Sequence, residues 1–459
     1  MPPADSSALI VARFLKSNHY TNSYDAFINE AGLPASAGDV GKGDLTLETL
    51  LEEKKTFDVS VRYEKLGSED GEGKGWARPA PSKAMAVTTL PSKSNLLSTS
   101  VELFDEAGTP QPLLLVTSAD RRLHILDVPA CSLRASLPAV QDSPILSCAV
   151  LNKHTLLTTS MSGQLVASNL SGDILASRRD HSKYVVKVAV YPSPTPGTPT
   201  LIATAGWDNK INIYVLPNDT SPLTSLPEPH TTIPLQSKPE SLLFLPHPDN
   251  PSEPLLLLSR TDSNHLYYYT TGTTTTTNES PRLLGTQNLA PHSNAWIAFT
   301  PTSLALHPHD PSLLAAGTNS LPHMKLLIIR LLVPPLTTPT IAAPLTQASQ
   351  ARAALAIADK ESAAILIHAN TLAPQTPYST PAIAWRPDGS GVWVNGDDGV
   401  VRGVEAGTGK VVAMLKGEDG GHEEGSKVRC LWAGMVGEEE WLVSGGFDQK
   451  LVVWKVDAP

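Results

Sequence analysis

One stretch, residues 181–216, constrains the fold of this chain more than any other part of the sequence. Its first apolar run, Tyr184 to Val190, is rich in valine and predicts a buried strand. After a loop rich in proline and threonine, Leu201 to Ala205 predicts a second strand. A polar turn at residues 206–209 leads to Lys210–Val215, where apolar and polar residues alternate as in a two-faced strand. Similar runs recur along most of the chain, so the sequence predicts a repeat protein built from small β-sheets.

The polar residues of this stretch have a regular spacing. His181 stands four residues before Val185, Thr204 stands four before Asp208, and Tyr214 lies six after that aspartate. The stretch resembles a WD repeat, one blade of a β-propeller, although the WD family usually has tryptophan at the position of Tyr214. The resemblance implies that His181, Thr204, Asp208 and Tyr214 form a hydrogen-bonded network that ties the loop before the first strand to the turn between the second and third. A partly buried aspartate needs such a partner for its charge.

The last unit of the chain is a second good match to the WD repeat. Ser444 stands four residues before Asp448, and Trp454 lies six after it. His422 lies two residues further from Val428 than the family spacing, so it is left out of the predicted network. Other copies are weaker, since Ser162-Gly163 stands where the aspartate is expected. The sequence thus predicts an all-β, seven-bladed WD-repeat β-propeller over residues 57–459.

Ring closure and two irregular regions complete this prediction. Residues 57–63 alternate like a strand, and residues 428–456 supply only three strands. We therefore expect residues 57–63 to be the outer strand of the last blade and to close the ring. Blade one would then begin at Met85–Leu90. In blade five, Pro334–Ala353 is predicted to be an insertion rich in Pro, Thr and Ala, with Ala363–His368 as the outer strand.

The first part of the chain has a different, helical pattern. A serine cap at residues 6–7 precedes an amphipathic run, and a second apolar face ends near Gly32. The pattern resembles a LisH motif, although Tyr24 stands where alanine is common, a bulky departure that puts the helix packing in question. The resemblance implies a small α-helical dimerisation motif at residues 6–33. Its apolar positions in this chain are Ile10, Val11, Phe14, Leu15, Tyr20, Tyr24 and Phe27.

Two short helices cannot bury so many large apolar side chains on their own. Either a second copy of the chain covers them, which makes a homodimer, or they pack on the propeller. Residues 34–56 follow as a linker and a short third helix, and the small polar residues of Pro34–Gly43 predict that the linker is flexible.

Composition limits the partners and the location. The net charge is −10, and no stripe rich in Lys and Arg is visible, so a nucleic-acid partner is not expected. Cys131, Cys148 and Cys430 show neither a disulfide framework nor metal-binding spacing, which indicates a reducing compartment. The sequence shows no secretory pattern and no apolar run long enough for a membrane span. We expect an intracellular protein, cytoplasmic, nuclear or both, without membrane partners.

Several short patterns resemble catalytic or metal sites, and each has a better structural interpretation. Residues 407–410 read GTGK but lack the first glycine and the Ser or Thr of a phosphate loop, which favours a hairpin turn. His247, His307 and His309 follow predicted first strands, where turns are expected. Asp120, Asp208, Asp398 and Asp448 recur at turns that they stabilise. We therefore predict no catalytic residues, no metal and no cofactor.

The sequence as a whole favours a non-enzymatic scaffold that dimerises through LisH and binds partner proteins on the propeller faces. The alternative is a substrate-recruiting or structural subunit of a ubiquitin ligase or another multiprotein complex. The adaptor-docking signature Trp-Asp-x-Arg is absent at the third strands. A propeller enzyme with an ion in its central channel would need acidic or histidine residues at the starts of the inner strands, which read mostly as Val, Leu and Ala.

Overall fold

A computed structural model describes residues 6–41, 44–51, 65–67, 75–106, 108–192, 198–216, 223–248, 250, 253–272, 280–293, 298–336, 346–417 and 420–457. The chain divides into two compact units, one of residues 1–63 and 292–298 and the other of residues 64–291 and 299–459. The described helices near the start of the chain belong to the first unit, and the β-strands belong to the second.

The second unit consists of seven four-stranded antiparallel sheets, the blades of a β-propeller. Blade one contains β2 (Leu96–Glu106), β3 (Thr109–Ser118), β4 (Leu123–Asp127) and β5 (Ser132–Leu137). Blade two contains β6 (Ile145–Leu151), β7 (Thr155–Ser160), β8 (Gln164–Ser168) and β9 (Ile174–Arg179). Blade three contains β10 (Val185–Tyr191), β11 (Thr200–Gly206), β12 (Lys210–Leu216) and β13 (Thr231–Pro234). Blade four contains β14 (Pro239–Leu245), β15 (Leu255–Arg260), β16 (His265–Thr270) and β17 (Leu283–Asn288).

The remaining blades follow in chain order. Blade five contains β18 (Pro301–Leu306), β19 (Leu313–Thr318), β20 (His323–Arg330) and β21 (Ile365–Pro374). Blade six contains β22 (Ile383–Trp385), β23 (Gly391–Val394), β24 (Val401–Glu405) and β25 (Val411–Leu415). Blade seven contains β26 (Val428–Val436), β27 (Glu439–Gly446), β28 (Leu451–Val456) and, at its outer edge, β1 (Pro81–Val87). The predicted seven-bladed propeller is confirmed.

The strand that closes the ring is not the predicted one. β1 pairs with β28 from Pro81 opposite Val456 to Val87 opposite Leu451. Met85–Leu90 was expected to begin blade one, but its first half lies in this closing strand, and blade one begins at Leu96. Residues 57–63 lie outside the described residues, and the position predicted for them is filled by β1. The chain still closes the ring by joining its early and late strands in one blade, which protects the last edge.

The core lies between neighbouring blades. One cluster joins blades seven and one through fully buried side chains such as Leu114, Trp441 and Val453. Another joins blades six and seven around Trp393 and Trp454. The inner strands contact one another in a closed cycle, from β2 through β6, β10, β14, β18 and β22 to β26 and back to β2. Burial of each large apolar side chain contributes roughly 1.5–3 kcal/mol, so the ring is stabilised all round its circumference.

A helix occupies the insertion in blade five. The last helix, α3 (Gln347–Ala364), is capped by Thr346, whose hydroxyl accepts the N–H of Ser349 while the Ser349 hydroxyl accepts the N–H of Thr346. Near its other end, the buried carboxylate of Glu361 accepts the N–H of Asn288 at 2.7 Å. The outer strand predicted at Ala363–His368 is present but begins at Ile365.

The first unit is built on α1 (Ser7–Ser17) and α2 (Thr21–Ala31). Ser6 caps α1 by accepting the N–H of Leu9, and Gly32 ends α2 with a φ of 64°, which glycine adopts without strain. Residues 34–41 are not free of the helices as the linker prediction required, because Ala37 is buried in the core of this unit. Arg13 also holds residue 45 to α1 by donating from Nη1 to the carbonyl of Leu45.

Candidate functional site

A polar network fixes the turn between β11 and β12 in blade three. Nδ1 of His181 lies 2.9 Å from Oδ1 of Asp208, and its Nε2 lies 2.9 Å from Oγ1 of Thr204. The other carboxylate oxygen of Asp208 accepts the N–H of Ser182 at 3.1 Å. Tyr214 differs from the tryptophan of the WD pattern, since its hydroxyl donates to Asp180 at 3.1 Å.

Blade seven contains the same arrangement with a histidine that the sequence analysis left out. Nδ1 of His422 lies 2.9 Å from Oδ2 of Asp448, and its Nε2 lies 2.8 Å from Oγ of Ser444. The indole N–H of Trp454 donates to the same serine at 2.8 Å. Exclusion of His422 was wrong because the spacing argument assumed a loop of standard length, whereas a longer loop brings the ring to the same place.

The electrostatics of Asp448 follow from these bonds. Burial by itself would raise the pKa of its carboxyl group, but hydrogen bonds from His422 and from the N–H groups of Glu423 and Lys450 outweigh that effect. The pKa therefore lies below its usual range, and the carboxylate is the stable form. A Cβ at Gly446 would press on Asp448 and His422, so the network also depends on that glycine.

Both networks hold turns that present an aromatic side chain immediately before the aspartate. The N–H of Trp207 donates to the carbonyl of Tyr184 at 2.8 Å, and the two rings stack with centroids 5.3 Å apart. Nζ of Lys238 lies 4.9 Å from the Trp207 ring. In blade seven, Phe447 occupies the equivalent position, is 40% exposed, and donates its N–H to the carbonyl of Lys427.

These residues share one face of the ring. Strand direction alternates within a blade, so the loops that enter the first strands and the turns between second and third strands lie on the same side. We call this side the aromatic face, because it carries Tyr184, Trp207 and Phe447. Tyr378, in the loop before β22, adds a fourth aromatic side chain to it and is 90% exposed.

The predicted LisH residues divide into three groups in the structure: buried, exposed and half-buried. Ile10 and Tyr24 are buried inside the helical unit, and the Tyr24 hydroxyl donates to the carbonyl of Ala35 at 2.9 Å and accepts the N–H of Gly38. The bulky side chain at the usual alanine position thus does not disturb the packing but anchors residues 35–38. Val11 is 39% exposed and Tyr20 is 52% exposed.

The other three predicted LisH residues are neither fully buried nor exposed. Phe14, Leu15 and Phe27 are half-buried. Leu15 and Phe27 pack against the small core of the unit. The ring of Phe14 lies 6.1 Å from the ring of Tyr20, so Val11, Phe14 and Tyr20 form one partly exposed apolar patch.

Comparison with known proteins agrees with both halves of this description. Residues 75–455 match the family model described as UCP007778, beta-propeller domain, and residues 8–38 match the one described as UCP007778, LisH domain. The chain belongs to the UCP007778 family. The propeller match of this UCP007778 chain begins shortly before β1, and its LisH match includes residues 34–38, which fold against Tyr24. No curated protein matches the chain.

The short patterns that resemble catalytic or metal sites lie in turns and packing contacts of the UCP007778 propeller. Residues 407–410 form the turn between β24 and β25. His307 packs edge-on against Trp385, with ring centroids 4.7 Å apart, and Nε2 of His247 lies 3.3 Å from the carbonyl oxygen of Pro334. Within the described residues, no group of three or more His, Cys, Asp and Glu side chains is arranged to hold a metal ion. None of the described helices is long and apolar enough to cross a membrane.

The sequence analysis did not predict the charged residues on the inner strands of the UCP007778 propeller. The inner strands were expected to carry mostly Val, Leu and Ala, but Glu102 lies on β2, Lys187 on β10, Glu240 on β14 and Arg429 on β26. Each of these side chains is half-buried. A single charged residue in an apolar run gives no signal of its own, because the strand pattern does not reveal which positions face the ring axis.

Proposed function

We propose that this protein is a non-enzymatic scaffold that binds partner proteins on the aromatic face and dimerises through its LisH domain. A LisH domain followed by a β-propeller is a combination typical of interaction proteins. The observation that carries the proposal is the rigid presentation of aromatic side chains at Trp207 and Phe447 by the two complete polar networks.

Rigid aromatic residues are well suited to protein recognition. Tryptophan and tyrosine supply a large contact area, and few rotatable bonds must be frozen when they bind. Trp207 is held by its stack on Tyr184 and by Lys238, so little further ordering is needed. A closed ring of blades keeps these loops at fixed separations, which suits a partner that contacts several of them.

The dimer proposal depends on the patch formed by Val11, Phe14 and Tyr20. LisH domains commonly mediate dimerisation, and this patch is an apolar surface of the helical unit that its own core leaves partly exposed. A dimer would carry two aromatic faces and so gain avidity for a multivalent partner. We also infer an intracellular location, cytoplasmic or nuclear, because Cys131, Cys148 and Cys430 are unpaired thiols.

Partner binding is tested by affinity enrichment from cell extract with the purified full chain and quantitative mass spectrometry. We expect Trp207→Ala together with Phe447→Ala to lower the recovery of bound proteins by at least tenfold, since hot-spot aromatic residues each contribute about 2 kcal/mol or more. Met435→Ala is the matched control, because Met435 is 51% exposed at the β26–β27 turn on the opposite face. Equal recovery with the double variant and the wild type would refute the assignment of the aromatic face.

Dimerisation is tested separately by light scattering of the full chain. The chain has a mass of 48.8 kDa, and we expect twice that mass for the wild type. Val11→Glu together with Phe14→Glu should give the single mass, because two charges cannot be buried unpaired in an apolar interface. Asn29→Glu, on the exposed surface of α2, is the control that adds a charge elsewhere on the unit. A wild-type monomer, or a double variant that remains dimeric, contradicts the proposal.

A further inference from the structure

The seven inner strands enclose a central channel, and most of them begin with the same irregularity. In β2, β6, β10, β14, β18 and β26, one residue near the start is skipped in the pairing with the second strand. The skipped residues are Leu97, Leu146, Val186, Glu240, Thr302 and Arg429. Two of these equivalent positions therefore carry opposite charges, both at the end of the channel that opens on the aromatic face.

Glu240 and Arg429 occupy this skipped position on opposite sides of the ring. They belong to blades four and seven, which are not neighbours in the ring. Each charge nevertheless shifts the pKa of the other group. Side chains of non-neighbouring blades can approach only through the space around the ring axis. Glu102 and Lys187, in blades one and three, influence each other in the same way.

The two charges at the channel mouth do not form a direct pair. Among the described residues, no ion pair within 4.0 Å joins Glu240 to a cation, and no acceptor lies within hydrogen-bond distance of the Arg429 guanidinium. The Arg429 side chain is half-buried, and loss of hydration lowers its pKa. Its guanidinium has five N–H donors, a geometry that recognises carboxylates through two parallel bonds.

We propose that the channel mouth between Glu240 and Arg429 binds a carboxylate group of a partner polypeptide. Arg429 holds the carboxylate from one side, and Glu240, as a neutral carboxyl group, donates its O–H from the other. The carboxylate comes from an acidic side chain or from a chain terminus, which have the same chemistry. This inference rests on the proposed function of the aromatic face, since it states what that face recognises.

The charge balance of the channel favours an anion over a cation. Burial raises the pKa of Glu240 to about 7, against the opposing effects of Lys238 and Arg429 and with a smaller contribution from Asp262. An approaching anion raises that pKa further, so the carboxyl group becomes neutral and donates a hydrogen bond. Arg429 stays charged at any pH that the protein tolerates.

The strands packed against β14 carry few titratable side chains. β10 contributes Lys187 and Tyr191, β15 contributes Arg260, and neither β11 nor β18 carries a titratable side chain. Burial raises the pKa of Glu102. The charged groups that act on Glu240 are Lys238 and Arg429, which are positive, and Asp262, which is negative.

The test uses the purified full chain and short Gly/Ser peptides titrated by NMR or calorimetry. One peptide has capped ends and a single glutamate, and a second has a free C-terminal carboxylate and no acidic side chain. Capped peptides with a single glutamine or a single lysine are the controls. We expect binding of at least one carboxylate peptide and a loss of roughly 10- to 100-fold in Arg429→Gln, the equivalent of a charge-assisted hydrogen bond. Lys183→Gln, on the same face, removes the same charge and should bind as the wild type does.

The pH dependence gives a second readout that a structural role would not produce. With a Glu240 pKa of about 7, affinity of the wild type should fall about tenfold between pH 6 and pH 8, as the neutral fraction of that carboxyl falls. Glu240→Gln, which stays neutral, should bind with the same affinity at both pH values. Melting curves of each variant establish that it is folded.

Each other outcome has a definite meaning. Equal binding by the glutamine peptide, preference for the lysine peptide, unchanged binding in Arg429→Gln, or no binding of either carboxylate peptide overturns the inference. If the carboxylate peptides fail while the Trp207→Ala and Phe447→Ala double variant still loses its partner proteins, only the channel inference falls. If the peptides bind but that double variant keeps its partners, the proposed aromatic face falls instead.

Discussion

Arg386 offers the sharpest test of how the ring is held closed. Its side chain is 1% exposed and donates to both carboxylate oxygens of Glu440, from Nε at 2.9 Å and from Nη2 at 2.6 Å. Its Nη1 donates to the carbonyl of Ala77 at 2.7 Å, and the guanidinium lies 4.5 Å from the Trp76 ring. One residue of blade six thus binds blade seven and the segment that leads into β1.

Replacement of Arg386 by methionine keeps most of the volume and removes every one of these bonds. Glu440, whose side chain is 11% exposed, is left with a buried charge and no cation. Breaking a buried ion pair from one side costs about 3–5 kcal/mol, so we expect the free energy of unfolding to fall by that amount. The contacts act as a unit, so their separate energies cannot be summed.

Urea unfolding followed by tryptophan fluorescence measures this loss, and a double-mutant cycle with Glu440→Gln separates the pair from the rest. We expect the sum of the losses in unfolding free energy of the two single variants to exceed the loss in the double variant by about 0.5–3 kcal/mol. Hydrogen exchange should also rise in peptides that cover β1, because Ala77 loses its tether. A loss below about 1 kcal/mol in Arg386→Met, or strictly additive losses, would refute the argument.

Three further outcomes follow from the networks and the closing strand. His422→Ala should lower the free energy of unfolding by about 1–3 kcal/mol in urea titrations, because Asp448 loses its main partner, while the exposed His154→Ala should have no measurable effect. Because the folded-state pKa of Asp448 is depressed, its contribution is present above the unfolded pKa of about 3.9 and is lost as pH falls through the folded value. Melting curves of Asp448→Asn should therefore depend less on pH below about 4 than those of the wild type. Met85→Asp places a charge against the core beside β28 and should cost roughly 1–3 kcal/mol, whereas an unchanged melting temperature would show that β1 does not close the ring.

The sequence was sufficient to locate the blades but not to identify the strand that closes the ring. Alternation and turn spacing are local, so β10, β11 and β12 could be located from residues 181–216 alone. Which strand lies beside β28 depends on pairing between residues more than three hundred positions apart, as Met85 and Val453 are. Two segments that both looked like strands could fill that edge, and the local pattern favoured the wrong one.

Other misses have different physical causes. α3 was not predicted, because its sequence is rich in alanine and lacks a clear apolar face, so intrinsic helix propensity and the Thr346 cap replaced the periodic signal. The two charges at the channel mouth, Glu240 and Arg429, are skipped residues at the starts of inner strands, a feature of pairing that a single strand does not encode. The two polar networks were found only as far as their spacing was standard, which explains why His181 was recognised and His422 was not.

Closure of the ring by β1 also sets an order of events during synthesis. β1 leaves the ribosome before blade one, but its partner β28 is among the last strands to be made. At the usual 5–20 residues per second, the interval from Val87 to Leu451 lasts roughly 20–70 s. For that time β1 lacks its partner strand, and Pro81 and Lys83 are residues of the kind that discourage pairing at a free edge. Ribosome pauses late in the coding sequence would lengthen this window and raise the chance that β1 pairs with the wrong neighbour.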